Sequence, residues 1–192
     1  MKGHEYIIQF LPTIKARLPK NAIMVEVGSE RGQGSTLALA QLCLANGMHF
    51  ISVDVDPSIS ADAKKIVQSV SPSFETVCDY GEKFLETTDK TFHMVYLDAF
   101  DFWHPNHSKE RIDAYASRGT TITDDNAAAM HLACSKALKN CLAIDGYVCF
   151  DDILTPAPEW KGKGRDAIPW LMENGFELIE WRKQAAMLQR KR

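Results

Sequence analysis

Short apolar runs alternate along the chain with segments in which apolar residues recur every three or four positions, as on the buried face of a helix. Strand-like runs occupy residues 23–27, 50–53, 74–77, 93–97, 146–150, 176–181 and 185–189. Helical segments occupy residues 5–18, 35–45, 61–70, 81–87, 124–140 and 165–173. This alternation predicts an α/β fold in which helices cover both faces of a mostly parallel sheet.

The last two predicted strands are joined by a short polar turn at residues 182–184. A turn of this length cannot make the crossover that parallel strands need, so the final strand should run antiparallel to its neighbour. The prediction is therefore a Rossmann-like three-layer sandwich with a seven-stranded sheet whose last strand is antiparallel. The sheet of a classic dinucleotide-binding fold is parallel throughout, which makes that class the weaker alternative.

No repeat or long linker interrupts the 192 residues, so a single domain over residues 1–192 is expected. Residues 1–20 should form a capping helix, despite Pro12. The segment at residues 98–120 is long and rich in aromatic and polar side chains, which favours a substrate-binding loop. A proline-rich stretch at residues 154–165, with Trp160 and several basic residues, is a second candidate wall for an acceptor.

The composition and charge of the chain argue against some classes of binding partner without identifying the partner. The chain is 45% hydrophobic and 24% charged with a net charge of −3, which provides no field for binding nucleic acid or an anionic membrane. No window reaches the roughly 18 apolar residues of a membrane span. The five cysteines are odd in number and lack a C-x-x-C pair, as expected for reduced thiols in the cytoplasm. We therefore expect a small-molecule partner.

A glycine-rich turn follows the first strand in the stretch V-E-V-G-S-E-R-G-Q-G-S-T. Gly28 and Gly32 would let the backbone pass close to a ligand beside Ser29, and Ser35 is placed to cap the next helix. The spacing G-x-x-x-G-x-G departs from the pyrophosphate-binding G-x-G-x-x-G. Glu26 would repel phosphates but could attract the ammonium of a methionine moiety. These features favour a cofactor without a diphosphate.

Acidic residues follow the next two strands. Asp54 ends the second predicted strand, where a carboxylate can accept hydrogen bonds from both hydroxyls of a ribose. Asp79 could accept from an adenine amino group, while Tyr80 packs near the ring. Either residue alone would be an ordinary turn residue, and the case for an adenosine ligand depends on their combination.

The motifs E-V-G-S-E-R-G, V-D-V-D-P and C-D-Y-G together resemble those of class I S-adenosylmethionine (SAM)-dependent methyltransferases. The stretch V-E-V-G-x-x-x-G-x-G-S-T-L-A-L-A is especially similar to the small O-methyltransferase-like branch, which includes the caffeoyl-CoA and catechol enzymes. The resemblance runs from about Ala22 to the C-terminus. It implies SAM as the cofactor, bound through Glu26, the glycine turn, Asp54, Asp79, Tyr80 and Asp98.

Two further strands end in aspartates, Asp98 after the fourth and Asp151 with Asp152 after the fifth. Carboxylates gathered at the carboxyl edge of a sheet repel one another unless a cation relieves them, which suggests Mg²⁺ or another divalent ion. The resemblance to the catechol and caffeoyl-CoA enzymes implies the same metal role for all three, with Asp152 in place of the usual asparagine. Asp98 would then also act at the catalytic centre.

The candidate base is less well defined. Some of these relatives carry a lysine three residues after the first metal aspartate, whereas this chain has Asp101 there. A different base is needed, and His104 and His107 are the main candidates, with His131 a third, because imidazole accepts a proton near neutral pH.

These observations favour divalent-metal-assisted O-methylation of a small-molecule hydroxyl, in which a chelator would abolish turnover. A metal-independent N- or C-methyltransferase would share every cofactor residue. A nicotinamide-dependent oxidoreductase or a non-catalytic SAM-binding protein are the remaining alternatives. A homodimer is possible, because a minimal domain can complete its pocket with a partner subunit.

Overall fold

A computed structural model describes residues 1–29 and 34–192 of the chain. The helices are α1 (Gly3–Ile14), α2 (Ser35–Ala45), α3 (Pro57–Val70), α4 (Gly81–Thr87), α5 (Lys109–Ala116), α6 (Asp124–Cys141) and α7 (Ala167–Glu173), and a 3₁₀ turn at Lys15–Arg17 extends α1. The strands are β1 (Ile23–Val27), β2 (His49–Asp54), β3 (Glu75–Cys78), β4 (Phe92–Leu97), β5 (Leu142–Phe150), β6 (Ile153–Thr155), β7 (Lys161–Gly162), β8 (Phe176–Arg182) and β9 (Ala185–Arg190).

The main sheet has seven strands in the order β3-β2-β1-β4-β5-β9-β8. The pairs from β3 through β5 are parallel, and β9 is antiparallel to both of its neighbours, β5 and β8. This confirms the predicted fold class and the antiparallel last strand. The strand order reverses between β1 and β4, and a crevice forms at such a switch point at the carboxyl ends of the strands.

Two hydrophobic clusters, one on each face of the sheet, make the three layers. One cluster joins buried side chains of α4, α6 and α7 to the sheet, and the other joins α1, α2 and α3. Along β1 the side chains alternate between the faces: Val25 and Val27 belong to the first cluster, and Met24 belongs to the second. Glu26 therefore points toward the α2 side of the sheet.

One helix and one two-stranded hairpin were not expected from the sequence. Helix α5 lies inside the segment predicted as a loop at residues 98–120, and its only buried side chain is Tyr115, so it carries no apolar stripe to detect. The strands β6 and β7 pair as a small antiparallel hairpin within the proline-rich stretch. Both elements contribute residues to the site described below.

Within the described residues, no helix combines the length and apolar character needed to cross a membrane. All five cysteines are free thiols, four of them buried and Cys78 exposed.

Candidate active site

A cavity of about 600 Å³ opens at the carboxyl ends of β1, β2 and β4. The walls include five predicted cofactor-binding residues, Gly28, Ser29, Asp54, Tyr80 and Asp98. Two predicted metal ligands also line the cavity, Asp152 and the same Asp98. The fold thus brings together residues that are distant in sequence, because parallel strands all end at the same edge. Gly32, another predicted cofactor residue, lies outside the described residues.

Gly28 holds the turn after β1 tightly against the end of β4. Its φ is +99°, and a Cβ at this position would lie 2.6 Å from the backbone N and Cα of Ala99. The Gly28 amide also donates to the carbonyl of Val53 at 2.8 Å. Only glycine satisfies both this conformation and this close approach, so the residue fixes the shape of the cavity wall.

Asp54 is half-buried and already engaged with the backbone of the cavity wall. One carboxylate oxygen accepts from the Ser29 amide at 2.9 Å, and the other accepts from the Asp56 amide at 2.8 Å. Burial raises the pKa of Asp54 from its ordinary value, against the lowering effect of these hydrogen bonds. Each oxygen retains a further acceptor site, so the fixed carboxylate can still receive two hydroxyl groups.

Glu26 and Ser35 lie beneath the cavity rather than in its described wall. Glu26 is fully buried and accepts from the hydroxyls of Ser35 at 2.7 Å and Ser52 at 2.8 Å. Burial raises the pKa of Glu26 to about 7, although these hydrogen bonds favour the charged form. Ser35 does not cap α2 as predicted, because its hydroxyl is committed to Glu26 and Gly34 occupies the N-cap position.

Asp79, the third acidic residue predicted to bind the cofactor, does not face the cavity. Asp79 accepts from the Tyr80 amide at 2.9 Å and from the Lys83 ammonium at 3.1 Å, and it is absent from the cavity wall. Tyr80 and Glu82 do line the cavity. A carboxylate is therefore available at this end of the cavity, but it belongs to Glu82.

The three aspartates predicted as metal ligands do lie close together. The Tyr96 hydroxyl is 2.8 Å from Asp151 Oδ2 and 3.1 Å from Asp98 Oδ2, so it bridges two of the carboxylates. Asp151 is 3% exposed, and burial together with the charge of Asp98 raises the pKa of Asp151 above its ordinary value. Asp98 and Asp152 face the cavity.

A lysine that sequence reasoning did not single out completes this cluster. The ammonium of Lys163 lies 2.9 Å from Asp98 Oδ1 and 2.8 Å from Asp152 Oδ2, and the side chain is almost fully buried. Burial alone would lower the pKa of Lys163, but the carboxylates of Asp98 and Asp152 outweigh it and hold the pKa above its usual range. The cluster therefore contains its own cation.

The hairpin of β6 and β7 positions Lys163 by its backbone. Gly162 has a φ of +106°, and a Cβ there would lie 2.0 Å from the carbonyl oxygen of Asp152. The same oxygen accepts from the Lys163 amide at 3.2 Å. The signal was present in the sequence as the stretch K-G-K-G, in which two glycines flank the lysine, but only the pairing of the hairpin shows which basic residue turns inward.

The residues present do not suit a divalent ion. Among residues 1–29 and 34–192, no group of three or more histidine, cysteine or acidic side chains is arranged to hold a metal. A Mg²⁺ or Ca²⁺ between Asp98 and Asp152 would have to displace the ammonium that already bridges them. A divalent ion at this place remains a prediction from the sequence, and the geometry disagrees with it.

The candidate histidines lie outside the described wall of the cavity. His104 and His107 stack with ring centroids 3.6 Å apart and line a neighbouring depression of about 510 Å³. His107 Nε2 is 2.7 Å from the Phe102 carbonyl oxygen, to which it donates. His131 is fully buried, and burial followed by the charge of Lys163 lowers its pKa to about 3. Their roles as bases remain predictions.

The segment at residues 98–120 covers part of the cavity, as a substrate-binding loop would. Arg118 pairs with Asp56 at 2.7 Å, Arg111 pairs with Asp101, and the Tyr115 hydroxyl accepts from the Asp101 amide at 2.8 Å. Arg111, Tyr115 and Arg118 also line the cavity. Asp101, which stands where the resembling enzymes carry a lysine, therefore anchors α5 over the site.

No family model matches the chain, and no curated protein matches its sequence. Solved structures do match its fold. SMU.1697c of Streptococcus mutans, assigned as a methyltransferase and solved with SAH, is 15% identical with a TM-score of 0.61, and the match covers 98% of each chain. CalS11, a TDP-rhamnose 3'-O-methyltransferase of calicheamicin biosynthesis, is 14% identical with a TM-score of 0.61 over 96% of this chain and 77% of CalS11. This chain has the fold of the SAM-dependent methyltransferases.

The fold alone does not select the acceptor. A Clostridium thermocellum protein assigned as an rRNA methylase is 14% identical with a TM-score of 0.55, over 97% of this chain and 92% of that protein. Proteins named for a sugar acceptor and for an RNA acceptor thus share this architecture. The branch of small O-methyltransferases suggested by the sequence is one of several with this fold.

Proposed function

We propose that this protein binds SAM in the cavity at the carboxyl edge of its sheet and transfers the methyl group to a small-molecule acceptor. The supporting observation is that Ser29, Asp54, Tyr80 and Asp98, which follow different strands, all line one cavity at the switch point of a methyltransferase fold. The fold comparisons support the same reading through a neighbour solved with SAH.

In this proposal each described residue binds one part of the cofactor. Asp54 accepts hydrogen bonds from the ribose hydroxyls, and Tyr80 with Glu82 flanks the adenine. Gly28 and Ser29 provide close backbone at the methionine moiety, for which Asp98 is a further partner. Glu26 acts indirectly, since it holds Ser35 and Ser52 beneath the glycine turn.

When bound, SAM supplies a methyl group already activated by its sulfonium. The chain then has to align the acceptor with that methyl group and exclude water. Helix α5 suits this task because Tyr115 within it is hydrogen-bonded to the Asp101 amide and Arg118 just after it pairs with Asp56, and all four residues line the cavity. The acceptor we propose is a hydroxyl of a small molecule, supported by a cavity of limited volume and by a net charge of −3. Nitrogen and carbon acceptors use the same cofactor residues and are the alternative outcome.

Asp54 is the sharpest test of the cofactor assignment. Calorimetry should detect binding of SAM and SAH to the wild-type protein and no binding of NAD. Asp54→Ala removes a carboxylate that would receive hydrogen bonds worth about 1.5–3 kcal/mol each, so SAH should bind at least roughly tenfold more weakly.

Asp62→Ala is the matched control, because Asp62 is an exposed aspartate on α3 whose side chain pairs with Lys65 on the surface of the same helix. SAH affinity should not change in this variant. Binding of NAD in place of SAH, or undiminished SAH affinity in Asp54→Ala, would refute the proposal. The homodimer and the cytoplasmic location remain predictions, and size-exclusion chromatography with light scattering tests the first.

A further inference from the structure

The most unusual feature of the site is a buried ammonium among three carboxylates. Lys163 is 5% exposed and contacts Asp98 and Asp152 at hydrogen-bonding distance, and Asp151 joins the cluster through Tyr96. Lysine is rarely buried to this extent unless it is paired. The pairing with Asp98 and Asp152 is therefore what allows a charged lysine to be buried at this end of the site.

The ammonium and a divalent ion would compete for one place. Mg²⁺ binds carboxylate oxygens at about 2.0–2.1 Å and Ca²⁺ at about 2.3–2.6 Å, so either ion would sit between Asp98 and Asp152 where Lys163 Nζ now lies. Contacts of 2.8 and 2.9 Å are those of charge-assisted N–H···O hydrogen bonds. Both cations cannot occupy this position.

The lysine is also held by its backbone, so it cannot leave easily. Gly162 lies directly against the Asp152 carbonyl, and the Lys163 amide donates to that same carbonyl. Moving the side chain away would leave the carboxylates of Asp98 and Asp152 without the cation that bridges them. Asp152, which the sequence predicted as a metal ligand, is thus the residue that anchors the competing ammonium.

We propose that Lys163 is a built-in cation that takes the place of a divalent ion in this chain and closes the Asp98–Asp151–Asp152 cluster to metals. One consequence rests on the proposed function: the Lys163 ammonium is then the positive charge that the oxygen of the methyl acceptor meets at this end of the cavity. Methyl transfer then proceeds in the presence of a chelator, the reverse of what the sequence predicted.

The test is metal binding, which requires no knowledge of the acceptor. Free hexaaqua Mn²⁺ gives an electron paramagnetic resonance signal that is lost on binding, so titration of wild-type protein with Mn²⁺ should show no bound ion at millimolar concentration. Lys163→Ala should gain one bound ion. Removing a positive charge in contact with both carboxylates should tighten Mn²⁺ binding on the order of a hundredfold. Adding Asp152→Ala to this variant should abolish the gain, because alanine removes the ligand oxygens altogether.

Lys161→Ala is the matched control, because Lys161 is on the same hairpin two residues away and its side chain is 64% exposed. It should behave as wild type. A wild-type protein that binds Mn²⁺ in a manner removed by Asp152→Ala would overturn the proposal, as would a folded Lys163→Ala that binds none. If Lys163→Ala does not fold, the wild-type titration decides. SAH calorimetry on the same samples reports separately on the proposed function.

Discussion

Replacing Lys163 with methionine is the perturbation whose consequence follows most directly from the structure. Methionine keeps most of the apolar stem of the lysine but removes its charge. The carboxylates of Asp98 and Asp152 then lose the donor that lies 2.9 and 2.8 Å from them. Asp151, buried beside them, increases the repulsion that remains.

The expected loss can be estimated from the burial of each partner. Removing one member of a fully buried ion pair costs about 3–5 kcal/mol, because the remaining charge has no partner. Here the side chain of Lys163 is 6% exposed, but those of Asp98 and Asp152 are 23% and 35% exposed, and water partly screens them. We therefore expect Lys163→Met to reduce the free energy of unfolding by about 3 kcal/mol, toward the lower limit of that range.

Urea unfolding followed by circular dichroism measures this loss. Lys161→Met is the control, since the ammonium of Lys161 is exposed and lies 4.0 Å from the carboxylate of Glu159. Its effect on the free energy of unfolding should stay below about 0.5 kcal/mol. A loss of less than about 1 kcal/mol in Lys163→Met would be typical of an exposed pair and would refute the buried cluster.

The pH dependence gives an independent check. The pKa of Lys163 is raised in the folded protein, so its contribution is fully present below its unfolded pKa and is lost only at strongly alkaline pH. Methionine does not titrate, so the difference from wild type in the free energy of unfolding should be the same at about pH 7 and about pH 9 and should shrink as pH rises above 10.5. A difference that already shrinks between about pH 7 and about pH 9 would mean that the carboxylates do not hold the ammonium in its charged form.

Two further substitutions test the glycine turn and the glutamate beneath it. Gly28→Ala should lower the free energy of unfolding by more than about 2 kcal/mol and weaken SAH binding, because the added Cβ would press on Ala99. Gly47 also has a positive φ, but a Cβ added there would meet no atom within 4 Å, so Gly47→Ala should cost about 1 kcal/mol. Glu26 has a folded pKa of about 7 and an ordinary value of 4.5, so its contribution to stability is present below about pH 4.5 and is lost as pH rises through 7. Relative to Glu26→Gln, which does not titrate, the wild type should lose up to about 3 kcal/mol of unfolding free energy between about pH 5 and about pH 8.

The same unfolding measurements can contradict the predictions for Gly28 and Glu26. Equal losses in Gly28→Ala and Gly47→Ala would show that the close approach to Ala99 is wrong. Parallel pH profiles for the wild type and Glu26→Gln would show that Glu26 is not held in a buried, desolvated position.

The sequence by itself determined the fold class and part of the cavity edge. Alternation of strand-like and helical segments is a local property that can be read along the chain. It locates the strand ends, and the acidic residues at those ends can then be named from the sequence. The short turn after β8 was enough to predict an antiparallel β9. Asp54, Tyr80 and Asp98 line the cavity, because residues at or just after the end of a parallel strand lie at the carboxyl edge of the sheet. Their roles in cofactor binding remain predictions.

Only the tertiary structure decided where each side chain points and which charges meet. Val27 lines the cavity, and Glu26 precedes it in β1. Because side chains alternate along a strand, Glu26 points to the face of the sheet opposite to Val27. Lys163 lies 65 residues from Asp98 along the chain, and their contact exists because the hairpin of β6 and β7 folds back onto the end of β5. A pattern along the sequence records the types of charge present, but the pairing of a cation with a particular carboxylate depends on distances that only packing sets.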